Sequence, residues 1–325
     1  MPTFNNTMSL ASALDVYAQL HPTPPTGTGF LSKKMAIKRK QEDMSIPAPA
    51  PKGFTFGCDP EAFVFKGKTP VTAAGLIPGT KAEPYKVNKG WVQVDGMAAE
   101  INIEPASSFE EWNGNIATVI SELEAMLPKG HSLKWIPSVE FPEKVFESAP
   151  DEAKDLGCQP DFDAWSGGVN PPPCPENPFV RCAGGHIHIG WTKDEDLSSL
   201  QHILNCQDMV KQADFFLGAW SVTKDPDPVR RTLYGKMGAC RYKPYGVEYR
   251  VLSNFWVPAE ELRTEIWNRM VHSVNQMNHI FLPDRIPSKL VEQIRTAINT
   301  SAMDAYIRDA LEYPVLSLSP GNNRW

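Results

Sequence analysis

Acidic side chains alternate with apolar ones in the stretch from Val94 to Pro105, which reads Val-Asp-Gly-Met-Ala-Ala-Glu-Ile-Asn-Ile-Glu-Pro. Successive side chains of a β-strand point to opposite faces, so Glu100 and Glu104 share one face of the predicted strand. Two carboxylates at so short a distance repel each other unless a cation lies between them. The pattern indicates a metal ion or an arginine beside this strand, although the same alternation is ordinary for a solvent-facing antiparallel strand. A bulge at Gly96 would change the parity, so the face of Asp95 stays open.

Three further predicted strands carry two polar residues separated by one residue. These pairs are Asp59 and Glu61 between Phe54 and Phe65, His186 and His188 between Arg181 and Trp191, and Glu248 and Arg250 between Gly246 and Val251. A sheet face lined with acids, histidines and arginine cannot be a hydrophobic core, because unpaired buried charge is prohibitive. The four pairs together therefore predict one polar site on a sheet face.

A short segment between the histidine strand and the last strand is rich in arginine, with Arg230, Arg231 and Arg241. A guanidinium group binds phosphate or carboxylate through two parallel hydrogen bonds. Carboxylate oxygens with an imidazole suit hard cations such as magnesium or manganese. Metal ions and arginine side chains together bind the phosphate groups of a nucleoside triphosphate in many enzymes.

Amphipathic helices must position these strands. A capping box at Ser108–Glu111 predicts a helix through Leu127, and a second box at Thr192–Glu195 predicts a long helix through Leu217. Further helices are predicted after Pro258 and from Ser288 to Leu311. A helix that closely follows an alternating strand packs across the apolar side of the sheet, which leaves the polar side free.

The composition of the 325-residue chain excludes several classes of protein. The 42% hydrophobic residues are typical of a soluble protein, and the net charge of −6 argues against a surface that coats nucleic acid. The six cysteines show no C-x-x-C spacing, which indicates reduced thiols. No apolar run approaches the ~18 residues of a membrane helix, and the first residues lack the features of a signal peptide. We expect a soluble cytoplasmic protein.

Residues 1–51 differ in character from the rest of the chain. They contain the basic cluster Lys33–Lys40 and the proline-spaced run Ile46–Pro51. Proline at that spacing holds a chain extended and offers no packed face. We predict a flexible N-terminal arm at residues 1–51 and one domain at residues 52–325. The basic cluster is either solvated or contacts nucleic acid or an acidic partner chain.

The order of these motifs (acid-x-acid, paired glutamates, His-x-His, an arginine segment and Glu-x-Arg) resembles that of glutamine synthetases and glutamate-cysteine ligases. Four strings look like the phage-type carboxylate-amine ligases (COOH-NH2 ligase, type 2): Gly57-Cys-Asp-Pro-Glu61, Gly157-Cys-Gln-Pro-Asp161, Ala183-Gly-Gly-His-Ile-His-Ile-Gly190 and Tyr245-Gly-Val-Glu-Tyr-Arg250. The resemblance covers residues 53 to 285 and implies an α+β fold with a curved, mainly antiparallel sheet and helices on its outer face.

The resemblance also implies a reaction. ATP would phosphorylate a substrate carboxylate, and an amine would attack the acyl phosphate to form an amide, with Mg2+ or Mn2+ as the metal. The substrates would be small-molecule or peptide carboxylates and amines, and the setting would be the cytoplasm of a phage-infected bacterial host. The identity of both substrates and the formation of a homo-oligomer stay open.

The resemblance assigns roles by matched position. The metal ligands would be Glu61, Glu100, Glu104, His186 and Glu248, with Asp59 and Asp95 as weaker candidates. Nucleotide phosphates would be bound by His188, Arg250 and Arg230. The catalytic residues, which would neutralise the transferring phosphoryl group and hold the carboxylate, would include Arg250, Arg241 and Arg231. The chain departs from the synthetase pattern at Asp59, where a glutamate is usual.

The loop from Gly157 to Arg181 has little periodicity and contains Asp161, Phe162 and Trp165. A long loop in a compact domain is usually functional or disordered, and aromatic residues favour an ordered functional loop. An acid opposite an attacking amine would hold it as a cation and then help remove its proton. We predict this catalytic role for Asp161, with the aromatic residues selecting the substrate. The alternative is a rigid covering loop whose aromatic residues lie in the core.

Three other classes of protein share part of the pattern. A cupin also starts from Gly-x-His-x-His, but it needs a glutamate shortly afterwards on the same strand and a distant third histidine. A metal-dependent hydrolase would use the same acids and histidines without ATP. A non-catalytic virion or scaffold protein would use the ligase fold without needing its charged strand face. The hydrolase and the scaffold stay as alternatives to the ligase.

Overall fold

The computed structural model describes residues 45–156, 161–225, 227–277, 279 and 281–302. In the first half of the chain the elements are β1 (Thr55–Cys58), β2 (Glu61–Lys66), β3 (Thr69–Val71), β4 (Tyr85–Val87), β5 (Gly90–Asp95), β6 (Ala98–Ile103), α1 (Phe109–Met126), β7 (His131–Lys134), β8 (Ser138–Glu140), α2 (Glu143–Ser148), α3 (Asp151–Lys154) and β9 (Phe162–Asp163). In the second half they are β10 (Val180–Cys182), β11 (Ile187–Gly190), α4 (Leu200–Ala213), α5 (Ala219–Ser221), α6 (Pro228–Leu233), β12 (Ala239–Lys243), β13 (Gly246–Tyr249), α7 (Glu260–Gln276) and α8 (Ser288–Thr300).

The strands form two larger sheets and one small pair. The first sheet has the order β1-β11-β13-β12-β9, and the second has the order β3-β2-β6-β5-β4 with β7 also pairing with β2. Strands β10 and β8 form the separate pair. Every pairing between these named strands is antiparallel. The predicted α+β class with antiparallel sheets is therefore confirmed.

The predicted strand from Phe54 to Phe65 is broken at Asp59–Pro60 into β1 and β2. The N–H groups of Asp59 and Glu61 donate to the carbonyls of His186 at 3.4 Å and Gly184 at 2.9 Å, so the chain keeps the same neighbour as it passes from the first sheet to the second. Pro60 has no N–H to donate, and its carbonyl accepts from Ile101 at 3.1 Å. The break places two acidic residues at the junction of the two sheets.

The predicted single strand that begins at Val94 is instead the hairpin β5–β6. Gly96 lies in the turn with φ of 57°, a left-handed conformation that glycine adopts at little cost. The register pairs Gln93 with Glu100 and Asp95 with Ala98. Since directly paired residues share a face, Asp95 lies on the same face as Glu100. The alternation of side chains did not reveal the turn.

Helix α1 confirms the first predicted capping box. The Ser108 side chain accepts a hydrogen bond from the Glu111 N–H at 3.2 Å, and the helix runs from Phe109 to Met126. Its buried face, which includes Trp112, packs in one core with Ile101 of β6. The helix therefore covers the apolar side of the hairpin.

The second predicted capping box was wrong. Helix α4 begins at Leu200, where the Ser199 side chain accepts from the His202 N–H at 3.4 Å. The Glu195 N–H donates to the Pro244 carbonyl instead, so it is not available for a cap at Thr192. Helix α4 packs on β12 and β13 and continues through a π-helical turn, Asp214–Gly218, into α5.

The end of the predicted flexible arm packs against α7. The Ala48 N–H donates to Asn268 Oδ1 at 2.6 Å, and its carbonyl accepts from Trp267 Nε1 at 2.7 Å. The Asn268 side chain also donates to the Ile46 carbonyl at 3.0 Å. An extended proline-spaced chain has unpaired backbone groups, which these side chains satisfy.

Several predicted segments lie outside the described residues. These are residues 1–44 with the basic cluster Lys33–Lys40, residues 157–160 at the start of the predicted substrate loop, and the end of the last predicted helix beyond residue 302. Within the part of the chain that the structure describes, no helix is both long enough and apolar enough to cross a membrane.

Candidate active site

A polar cleft of about 450 Å³ opens where β1 passes into β2. Its charged and histidine residues are Asp59, Glu61, Lys81, Asp95, Glu100, Asp155, Asp161, Arg181, His186, His188, Arg230, Arg241, Lys243, Glu248 and Arg250. All four strands with predicted polar pairs contribute to this lining. They do so from two sheets that meet at the cleft, and not from one continuous sheet face.

Asp59, His188 and Glu248 form the first group of candidate metal ligands, which we call the histidine group. Each offers one ligand atom, and the three atoms lie within 4.8 Å of one another. His188 Nε2 lies 3.2 Å from Asp59 Oδ2. The antiparallel register places His188 directly opposite Glu248 on the neighbouring strand. Adjacent strands of the first sheet thus bring these side chains together.

The charges around the histidine group keep its carboxylates ionised. Burial opposes ionisation of Asp59, but the nearby His188 and His186 outweigh it and hold the pKa of Asp59 well below its usual range. Burial and the Asp59 charge also oppose ionisation of Glu248, but Arg250, His188 and Lys243 outweigh them and lower its pKa to about 2. Two ionised carboxylates and an imidazole are donors that suit Mg2+ or Mn2+.

His186, which was predicted as a metal ligand, lies beside the histidine group. Its Nδ1 is 3.2 Å from Asp59 Oδ1 and 3.7 Å from Glu248 Oε1. Burial and the Arg250 charge lower the pKa of His186 to about 4, so its ring is neutral. The structure places His188, and not His186, in the group of three mutually close donors.

The ring of His188 is oriented by Tyr245. The Tyr245 hydroxyl lies 2.9 Å from His188 Nδ1, and the two rings are stacked with centroids 5.9 Å apart. Burial raises the pKa of this hydroxyl above its usual range, so it stays protonated. A fixed partner on one ring nitrogen determines where the other nitrogen points. Tyr245 therefore directs His188 Nε2 toward Asp59.

Glu61, Asp95 and Glu100 form the second group of candidate metal ligands, which we call the carboxylate group. One oxygen from each lies within 4.8 Å of the others. Glu61 and Glu100 are direct partners across β2 and β6. Asp95, whose face the sequence left open, joins them through the β5–β6 hairpin.

The carboxylate group has the opposite electrostatics to the histidine group. Burial, with the Asp95 charge, raises the pKa of Glu61 to about 7 even though the Gly184 N–H donates to Glu61 Oε2 at 2.9 Å. Burial, with the charges of Asp59 and Asp95, raises the pKa of Glu100 well above its usual range. Carboxylates that repel in this way gain from any cation that binds between them, and an all-oxygen set suits a hard divalent ion.

Glu104, a predicted metal ligand, does not join either group. It lies beyond the end of β6 and is exposed, and its Oε1 accepts from Lys86 Nζ at 2.7 Å. The hairpin supplies Asp95 as the third acid in its place.

Arg250 lies between the histidine group and the predicted substrate loop. It donates to Glu248, and its Nε is 3.1 Å from Asp161 Oδ1. The charges of Glu248 and Asp161 outweigh the effect of burial and raise the pKa of Arg250, so the guanidinium stays charged. Arg241 Nη1 and Lys243 Nζ lie 3.7 and 2.8 Å from oxygens of Glu248. Three cations therefore surround one carboxylate in the cleft.

The two neighbouring arginines of α6 take different positions. Arg230 lines the cleft, but its guanidinium donates to the carbonyls of Val251 at 2.9 Å and Arg250 at 3.2 Å. Arg231, predicted as catalytic, is fully buried outside the cleft lining and donates to Ser221 Oγ at 2.9 Å. Adjacent helical residues point in directions about 100° apart, so only one of them reaches the cleft.

Of the three residues singled out in the predicted substrate loop, Asp161, Phe162 and Trp165, the structure places Asp161 in the cleft lining. Burial raises the pKa of Asp161 above its usual range despite the nearby Arg250. Phe162 stacks on Tyr242 with centroids 4.8 Å apart, and Trp165 Nε1 donates to Asp214 Oδ2 at 2.7 Å. Neither aromatic ring lines the cleft, and their role in substrate selection stays a prediction.

Among the residues missed in the sequence are the cleft residues Lys81, Trp91, Gln93 and Lys243, and Tyr245, which contacts His188. Lys243 stands two residues after Arg241 on β12, and Trp91 and Gln93 precede Asp95 at the same spacing on β5. The alternation rule would have found these three, whereas Lys81 and Tyr245 lie in loops without such a signal.

No protein-family model matches the sequence, and no curated protein does either. Among solved structures, the fold is similar to a bifunctional glutathione synthetase from Pasteurella multocida, with a TM-score of 0.42 and 12% sequence identity. The aligned region covers 88% of this chain and 47% of that protein, so the chain spans about half of its length. A likeness of this degree does not assign a function.

Proposed function

We propose that the protein is an ATP- and divalent-metal-dependent ligase that joins a carboxylate to an amine through an acyl phosphate. The observation that supports this proposal is the combination, in one cleft, of two three-donor groups with the cations Arg250, Arg241 and Lys243. The sequence resemblance to carboxylate-amine ligases rests on the same residues.

The two groups would hold Mg2+ or Mn2+. Asp59, His188 and Glu248 would hold one ion, and the carboxylate group would hold a second. Metal ions at these positions would supply positive charge to a transferring phosphoryl group.

The cations of the chain would bind the anionic parts of the substrates. Arg241 and Lys243 lie beside Glu248 at the histidine group, where they would bind nucleotide phosphates. Arg250 would hold the oxygens of the phosphoryl group in a fixed orientation, because Glu248 and Asp161 hold its guanidinium from two sides.

Asp161 would have two roles. Its ion pair would orient Arg250, and its carboxylate would accept the proton that the attacking amine releases. A base whose pKa is raised toward neutrality is better suited to this transfer than an ordinary carboxylate.

Calorimetry with a non-hydrolysable ATP analogue tests the proposal. We expect binding that requires Mg2+ or Mn2+ and that is lost in Glu248→Gln, while the exposed Glu104→Gln serves as the matched control and binds like the wild type. An assay for ADP formation across pools of carboxylates and amines then reports turnover. Nucleotide binding without metal, or none at all, would contradict the ligase proposal, and metal binding without nucleotide binding would favour the hydrolase.

A further inference from the structure

The side chain of Gln93 is a buried polar group with no role in either metal group. It lies on β5, is 7% exposed and lines the cleft. Among the residues that the structure describes, its amide makes no hydrogen bond, and the amide atoms are accessible from the cleft. Such a group in a cleft is suited to a hydrogen bond with a ligand.

The position of Gln93 relates that ligand to the carboxylate group. Gln93 is directly opposite Glu100 across the β5–β6 hairpin and precedes Asp95 by two residues on the same face. Directly opposed side chains have Cβ atoms about 4.5–5.5 Å apart. A substrate whose carboxylate lay at the carboxylate group would therefore place its next few atoms beside the Gln93 amide.

The surface next to Gln93 combines an aromatic ring with a second amide. Trp91 precedes Gln93 by two residues on the same face and is paired across the hairpin with Asn102. The ammonium of Lys86 lies 3.8 Å from the centroid of the Trp91 ring. Asn102 Nδ2 donates to Glu100 Oε1 at 3.0 Å, which fixes its side chain. We call Trp91, Gln93 and Asn102 the amide shelf.

We propose that the amide shelf selects a carboxylate substrate that carries a peptide group next to the reacting carboxylate, that is, a peptide C-terminus or an N-acyl amino acid. This inference rests on the proposed function. A primary amide presents one acceptor and donors side by side, which complement the N–H and C=O of a peptide group. A peptide group lies within about 4 Å of the carboxylate that follows it, which matches the spacing between Gln93 and the carboxylate group.

The chemistry of the shelf argues against a free amino acid as the carboxylate substrate. A free α-ammonium group has only donors, and it would leave the donors of the Gln93 amide without a partner. A flat peptide group can also pack against the Trp91 ring, since aromatic rings present an apolar face.

The experiment compares a pool of N-acetyl amino acids with a pool of the matching free amino acids. ADP formation is measured with Mg2+, ATP and a pool of amines, and binding of each pool is measured by saturation-transfer NMR with Mg2+ but without ATP. We expect the N-acetyl pool to bind and to support turnover. Gln93→Leu should raise the KM for N-acetyl substrates about tenfold or more, because two hydrogen bonds are lost, while kcat changes little.

Two further variants make the comparison specific. Gln93→Asn keeps the amide but shortens its reach, so it should also weaken binding if direct contact matters. Gln201→Leu, at an exposed position of α4, is the matched control and should leave KM unchanged. Thermal unfolding of each variant shows whether the fold is retained.

The outcomes separate this inference from the proposed function. Binding of N-acetyl amino acids that weakens in Gln93→Leu supports the amide shelf even if no ATP is consumed, in which case only the ligase proposal fails. Preference for free amino acids, binding of neither pool, or wild-type binding in both Gln93 variants overturns the amide shelf. In each of these cases, metal-dependent ATP binding would leave the ligase proposal intact.

Discussion

Replacing Glu61 by glutamine should weaken the pH dependence of stability of the metal-free protein. Burial and the Asp95 charge raise the pKa of Glu61 from 4.5 to about 7 in the folded state. A carboxyl group whose pKa is higher in the folded state binds its proton more tightly when folded, so the fold loses stability as pH rises from 4.5 to 7. A shift of this size corresponds to about 3 kcal/mol, and contact with solvent in the cleft lowers that value.

Urea denaturation at pH 5 and pH 8 measures the effect in protein freed of metal. Between these pH values, the free energy of unfolding of the wild type should fall by up to about 3 kcal/mol more than that of Glu61→Gln. A neutral glutamine resembles the protonated acid, and its carbonyl can still accept from the Gly184 N–H. Glu104→Gln is the control, because the Lys86 hydrogen bond lowers the pKa of Glu104 and its titration falls below this pH window.

Addition of Mn2+ at pH 8 completes the test. The wild type should gain about 2.7 kcal/mol at a metal concentration one hundred times the dissociation constant, because an ion bound only to the folded state stabilises it. Glu61→Gln should gain less, since one charged ligand is absent. An identical pH dependence in the wild type and Glu61→Gln would refute the repulsion that we infer within the carboxylate group.

Three other predictions address the remaining parts of the cleft. Tyr245→Phe removes the hydroxyl that orients His188, so calorimetry should show metal affinity about 10–100-fold lower with an unchanged melting temperature; wild-type affinity would contradict the orienting role. Asp161→Asn removes the charge that holds Arg250, so single-turnover assays should show slower amide formation with little change in ATP binding; equal loss of both steps together with stability would mean that Asp161 is structural. Arg231→Met should lower the melting temperature without changing metal affinity, because Arg231 lies outside the cleft, and a loss of metal affinity in a folded variant would contradict this placement.

Local patterns along the sequence determined which strands carry the polar residues. Alternation depends only on the two-residue repeat of a strand, so Glu61, Glu100, His188 and Glu248 were recognisable without any knowledge of their neighbours. The Ser108 capping box was equally local, because the cap and its partner are three residues apart, and helix α1 confirmed it. The α+β class was implied by the resemblance to carboxylate-amine ligases, and the structure confirms it.

The tertiary structure decided which of these residues meet. The hairpin turn at Gly96 brings Asp95 beside Glu100, while Glu104 falls beyond the end of β6 and pairs with Lys86. Alternation along a strand cannot show where the chain reverses. The two-residue turn shifts the alternation, so Asp95 and Glu100 share a face although they are five residues apart.

The same limit applies to residues that depend on packing between distant segments. Arg231 is buried against α8 through the Ile298 carbonyl, whereas its neighbour Arg230 lines the cleft. Lys81 reaches the cleft and Tyr245 reaches His188 from loops, where no repeat indicates the direction of a side chain. The sequence therefore determined the types of chemical group and their order along the chain. The cleft was determined by the tertiary structure, in which two sheets meet, because contacts between distant segments cannot be inferred from local spacing.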